Sequence, residues 1–121
     1  MLVAGLAVAG ALGAPARYLF DRWVQERTAR PFPLGTLVIN VSGSFALGIL
    51  TGLALYHAFP STPKTILGTG FCGAFTTFST FAYETVRLAE ARALKAAAWN
   101  VIASLTLPLL AAAAGLALAA A

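Results

Sequence analysis

The residues able to do chemistry are concentrated in one stretch, Gly68-Thr69-Gly70-Phe71-Cys72-Gly73-Ala74-Phe75-Thr76-Thr77-Phe78-Ser79-Thr80-Phe81-Ala82-Tyr83-Glu84. It carries no charge before Glu84. A span built only as an anchor would be mostly Leu, Ile and Val. Here the first half holds Gly68, Gly70 and Gly73, and the second half is crowded with hydroxyls and phenylalanines. Each glycine weakens a helix by about 1 kcal/mol relative to Ala. A helix interrupted within a bilayer survives only where protein or a polar cavity satisfies the freed backbone. The composition therefore predicts an interruption near Gly73 to Thr76. The half-helix ending there would present carbonyl oxygens, which suit a small hard cation, and the half-helix starting there would present N–H groups, which suit an anion. The alternative use of three glycines is close helix packing.

Past the interruption, Phe78 and Phe81 are three apart and share a helical face. A phenyl ring has a positive edge, so two ring edges can contact an anion without trapping it; the same spacing also serves ordinary packing. Thr76 and Thr80 lie on another face, with Thr77 and Ser79 to either side. Glu84 follows Thr80 by four and Phe81 by three, and so borders this surface or serves as a charge at the membrane edge. Two further polar rows accompany it. Thr36, Asn40, Ser44, Gly48 and Gly52 are spaced by four, and so are Asn100, Ser104 and Pro108. Asn40 must find hydrogen-bond partners inside a bilayer, either as glue between helices or as a donor lining a polar pathway. Asn100 and Ser104 form a second row expected to face Asn40.

The elements that must position these residues follow from composition. Of 121 residues, 60% are hydrophobic and 10% charged, with a mean hydropathy of +0.84. A soluble domain carries roughly 25% charged residues, so the chain is an integral membrane protein. The net charge of +4 comes from basic residues between apolar runs. They read as membrane flanks rather than as a nucleic-acid surface. One cysteine excludes an intrachain disulfide and a cysteine zinc cluster, and the single His and scattered carboxylates argue against an enzyme. Residues 1–16 have no basic residue before them, unlike a signal peptide, and are expected to remain as a span. A spanning helix needs about 20 residues, and four fit: about 2–22, 34–56, 64–88 and 94–119, in a single domain of residues 1–121.

In the first helix Gly5, Ala9, Gly13 and Arg17 are four apart, a row that lets another helix approach closely. Pro15 is expected to kink it. Arg17 is either a snorkelling flank residue or a cation at the mouth of an anion pathway. The charged segment Asp21–Arg30 reads as a solvated loop or helix end. Pro31 and Pro33 introduce the second helix. His57 reads as interfacial.

Three pieces, in order and correctly spaced, resemble the small fluoride channel family, the Fluc or CrcB proteins. They are Gly13-Ala14-Pro15-Ala16-Arg17-Tyr18, Gly35-Thr36-Leu37-Val38-Ile39-Asn40-Val41-Ser42-Gly43-Ser44-Phe45, and Gly70 through Phe81 with Glu84. The resemblance covers nearly the whole chain. It implies a passive fluoride-selective channel that exports cytoplasmic fluoride, resident in the cell membrane as an antiparallel, dual-topology dimer with two pores. It also implies a structural sodium ion held by the backbone carbonyls of Gly73 and Thr76 from each subunit. By the same resemblance Phe78, Phe81 and Asn40 line the pore, Asn100 and Ser104 form the polar row, Arg17 is the vestibule arginine and Glu84 the carboxylate beside the phenylalanines. Pro108 departs from the family's pattern at the outer end of that row. Thr77, Ser79 and Thr80 can add donors to replace the water of a small, strongly hydrated anion, and no full positive charge is expected mid-span.

Arg22, Arg27, Arg30, Arg87, Arg92 and Lys95 fall on one side of the membrane, against Lys64 and the amino terminus on the other. The positive-inside rule then gives one preferred orientation. An antiparallel homodimer remains the first reading, and a heterodimer with a paralogue of reverse bias the alternative. A small four-span multidrug transporter is the other class, although the first helix has no acid before Asp21.

Overall fold

In the computed structural model, residues 1–28 and 32–121 are described; Arg30 and Pro31 lie outside them. Every regular element is helical among the described residues. The first helix, α1, is Leu2–Thr28 and is continuous through Pro15. The second, α2, is Leu34–Tyr56 with Pro33 at its N-cap. The third span is made of two pieces. Its first half, α3, covers residues 61–75: a short α-helical turn at Ser61–Thr65, wide π turns over Ile66–Cys72, and one more α turn at Gly73–Phe75. The backbone leaves the helix at Thr76 (ψ 159°) and resumes as α4, Ser79–Glu90. The last helix, α5, is Leu94–Ala120. Three of these helices, α1, α2 and α5, are each long and apolar enough to cross a membrane.

Two boundaries differ from expectation. The helix α1 ends at Thr28 rather than near residue 22. At 1.5 Å per residue its 27 residues span about 40 Å, more than the roughly 30 Å of hydrocarbon. The added turns carry an exposed Arg22–Glu26 pair at 2.9 Å, the i,i+4 pairing of a solvated helix. The third span breaks at residues 76–78, at the C-terminal edge of the expected interval. Gly73 itself is helical (φ −62°, ψ −39°).

Small residues seat the helices on one another. The four-residue row of α1 runs along α3. Gly5 lies on Ile66, Ala9 on Gly70, and a Cβ at Gly13 would stand 2.6 Å from the Phe71 carbonyl oxygen. The row ends with Arg17, whose Nη1 donates to the Thr76 carbonyl at 3.4 Å. On the other side α2 packs on α5: Gly48 lies against the Ala112 backbone, Gly52 against Ala119, and Gly115 against the Phe45 carbonyl. In lipid, where helices gain nothing by hiding apolar surface from one another, such close backbone approach is what holds them together. His57, just past α2, places Nε2 2.7 Å from the Ala119 carbonyl and ties the same two helices at one end.

Candidate functional site

An interruption inside a span leaves backbone donors and acceptors that must be answered, and here most are answered by side chains. Asn40, on the second turn of α2, meets Thr77 twice. Its Nδ2 donates to the Thr77 carbonyl and its Oδ1 accepts the Thr77 N–H, both at 2.8 Å. The reciprocal pattern fixes which way the amide points. Thr77 in turn caps α4. Its Oγ1 accepts the Thr80 N–H at 3.2 Å and lies 3.2 Å from Thr80 Oγ1 and 3.4 Å from Ser79 Oγ.

These bonds have a consequence for the carbonyls of Gly73 and Thr76. In an unbroken helix they would accept the N–H groups of Thr77 and Thr80. Both amides are diverted, one to Asn40 and the other to Thr77 Oγ1. The Gly73 oxygen is thereby freed at the end of α3, where the helix dipole already favours a cation, while the Thr76 oxygen keeps the Arg17 Nη1 donor at 3.4 Å and one lone pair. Gly73 is exposed. The donor set, backbone oxygen only, is one that a hard cation prefers.

Beside the break lies an open groove of about 360 Å³ lined by Asn40, Ser44, Gly73, Thr76, Thr77, Phe78, Phe81, Ser104, Leu105 and Pro108. Phe78 and Phe81 meet edge to face, ring centroids 5.3 Å apart at 63°. Their exposures differ sharply: Phe81 is 7% exposed and Phe78 71%. Phe78 shares this openness with other large apolar side chains of the protomer, Tyr18, Trp99 and Leu109 among them. A second, smaller cavity of about 190 Å³ is lined by Arg17, Tyr18, Asp21, Thr36, Ile39, Thr77 and Thr80. Thr77 lines both.

Several expected residues lie elsewhere. Asn100 is 2% exposed and faces α4 rather than Asn40. Its Nδ2 donates to Thr85 Oγ1 at 2.8 Å, while Ser104 Oγ donates to its Oδ1 at 3.3 Å. Of that row Ser104 and Pro108 share the groove with Asn40, and Asn100 does not. Thr85, which the sequence did not single out, continues the chain by donating to the Phe81 carbonyl at 2.8 Å. Its position four after Phe81 was the available signal. Glu84 opens on a different cavity of about 400 Å³, with Gln25, Tyr83 and Arg87. Buried oxygens of Glu84 and Asp21 have no hydrogen-bond partner among the described residues. Arg17 is not at the end of its helix. It reaches the break, so a full positive charge stands beside the interruption where none was expected mid-span. Among the described residues, no group of three or more His, Cys, Asp or Glu could hold a metal.

The family model described as "CrcB-like protein, Camphor Resistance (CrcB)" matches residues 4–116. A protein of Leifsonia xyli named "Fluoride-specific ion channel FluC 1" is 49% identical over 116 residues, 96% of this chain and 85% of its own length. One of the same name from Streptomyces avermitilis is 52% identical, over 91% and 90% of the two chains. A "Fluoride-specific ion channel FluC 2" of Cutibacterium acnes is 47% identical over 98% and 97%. The relatives are named as ion channels and not as enzymes. The match runs through α1, the Asn40 turn, the broken span and most of α5, and the chain belongs to the CrcB family.

Proposed function

We propose that this chain is a subunit of a passive fluoride-selective channel in the cell membrane that lets cytoplasmic fluoride leave. The names of its relatives supply the ion. The observation that carries the assignment to particular residues is the groove beside the break, where ring edges and neutral donors converge without a fixed charge in the lining. Fluoride is small and strongly hydrated, so its water must be replaced by several close donors at once. Asn40 keeps one Nδ2 hydrogen for the groove, and the hydroxyls of Thr77 and Ser104 supply theirs by turning from Thr80 and Asn100, with Ser79 and Thr80 at the adjoining turn and Asn100 behind Ser104. The edges of Phe78 and Phe81 contribute positive potential too weak to bind the ion tightly. Thr77 lines both the groove and the smaller cavity, and we assign that cavity to the vestibule, with Arg17 drawing anions in. Glu84 borders the far side of α4.

The freed Gly73 carbonyl, with the Thr76 carbonyl that keeps one lone pair beside its 3.4 Å bond from Arg17, supports the structural sodium ion of the proposal. Gly73 is exposed, so a partner can bring a second pair to the same point. A cation bound there would lower the cost of an anion in a low-dielectric span. Phe78, open on one protomer, is then covered in an antiparallel dimer. The basic bias of one membrane face leaves the homodimer as the first assembly and the heterodimer as the second. Relatives numbered FluC 1 and FluC 2 give the paralogue reading its support.

Replacing Phe78 with Ile tests the assignment. The side chain is open on the protomer, so folding should be unaffected. Fluoride efflux from proteoliposomes should fall at least about a hundredfold, a barrier increase of about 3 kcal/mol, with the oligomer unchanged on size exclusion. Unchanged efflux would return Phe78 to packing.

A further inference from the structure

We propose that Asn40 is a positioning residue. It holds the third span open at Thr77 and so aims Phe78 and Phe81 into the groove. The proposal rests on the groove being the fluoride pathway. A side-chain amide has two N–H groups and two acceptor lone pairs. Here one N–H and one lone pair are committed to a single residue's backbone, at 2.8 Å each. That is the pairing a neighbouring strand would make, supplied within a helical bundle by one side chain. It comes from α2, a different and unbroken helix, so the break is referenced to the rigid part of the fold.

The direction of the effect follows from what the Thr77 N–H would do otherwise. The acceptor that an unbroken helix would offer it is the Gly73 carbonyl, which closes the next helical turn. Each residue added to a helix turns the chain by about 100°. Closing that turn would rotate Phe78 away from the groove and withdraw the Gly73 oxygen. Asn40 therefore acts on two features together: the direction of the phenylalanines and the freeing of the carbonyl. A donor to the ion alone would need neither bond to Thr77. One Nδ2 hydrogen remains for the groove, so the two roles are compatible and can be separated by substitution.

Asn40→Ser separates them. A serine keeps a hydroxyl donor lining the groove but is too short to bracket Thr77. The full-length protein would carry 4-fluorophenylalanine in place of Phe78, and its 19F resonance would be read in fluoride-free chloride buffer. Fluoride efflux would be measured on the same preparations. Positioning predicts that the resonance moves by more than its linewidth and that efflux falls more than about tenfold. If the serine variant does not fold, Asn40→Gln replaces it. That variant keeps the amide donor, and its extra methylene displaces the bracket, so resonance and efflux should again change together. An unmoved resonance overturns the proposal, and so does a moved one with efflux at the wild-type level. If the wild type carries no fluoride, it is the pathway reading that fails, and the resonance still decides the bracket.

Discussion

The helix α2 carries one stripe with two uses. From Thr36 through Asn40 and Ser44 its residues are polar, and from Gly48 to Gly52 they are small, at the same four-residue spacing throughout. The polar half faces the interruption: Asn40 bonds Thr77, and Ser44 lines the groove. The small half faces α5, with no room for a Cβ between Gly48 and Ala112. Periodicity places a residue on a face, and side-chain chemistry decides what that face does. Where the neighbouring backbone is intact, α2 contributes only closeness. Where it is broken, α2 contributes the missing hydrogen bonds. On the proposed function the first half serves the pathway and the second the scaffold, so substitutions in them should fail in different ways.

The largest separation should come from the small half. Gly48→Val forces a branched side chain into the Ala112 backbone. It should destabilise the bundle by about 1–3 kcal/mol, read by denaturation in detergent, while fluoride efflux per folded channel stays at the wild-type level. Loss of efflux at full stability would show that this half also serves the pathway. Ser104→Ala sharpens the other side. It removes a donor from the groove and its 3.3 Å bond to Asn100. The account expects efflux to drop about threefold to tenfold, in keeping with the roughly 0.5–1.5 kcal/mol of one neutral hydrogen bond, and stability to change little. The smallest effect should be at the scaffold's end. His57→Leu removes the link to the Ala119 carbonyl and should cost no more than about 1 kcal/mol of stability, with efflux untouched.

How much of this was legible beforehand depended on whether a feature was local. The Gly5, Ala9, Gly13 row declared a helix contact because small residues at that spacing have few other uses in a span, and the structure lays it along α3 as read. The interruption expected near Gly73 to Thr76 is found at the last residue of that interval, while the glycines themselves stay helical. Ile66–Cys72 stays wound in wide π turns, and the chain leaves the helix at Thr76, where Asn40 and the Thr77 hydroxyl can satisfy it. Propensity locates strain, and available hydrogen-bond partners decide where strain is released. The sequence understates the length of α1 because its last turns are charged, and charge ends a membrane span without ending a helix. Thr85 does not stand out in the sequence because its significance depends on Asn100, fifteen residues on. Which helix Asn100 faces, and that Arg17 reaches the break, depend on helix rotation and tilt, which a single sequence does not specify.

The claim on which the rest depends is that this chain conducts fluoride and rejects chloride. Purified protein would be reconstituted in liposomes loaded with potassium fluoride or potassium chloride, and efflux of each ion followed by electrode after valinomycin is added. The account predicts fast fluoride efflux with negligible chloride efflux from this chain alone. Equal efflux of both ions would contradict it, leaving the phenylalanine edges and the Asn40 groove as packing around an unselective path.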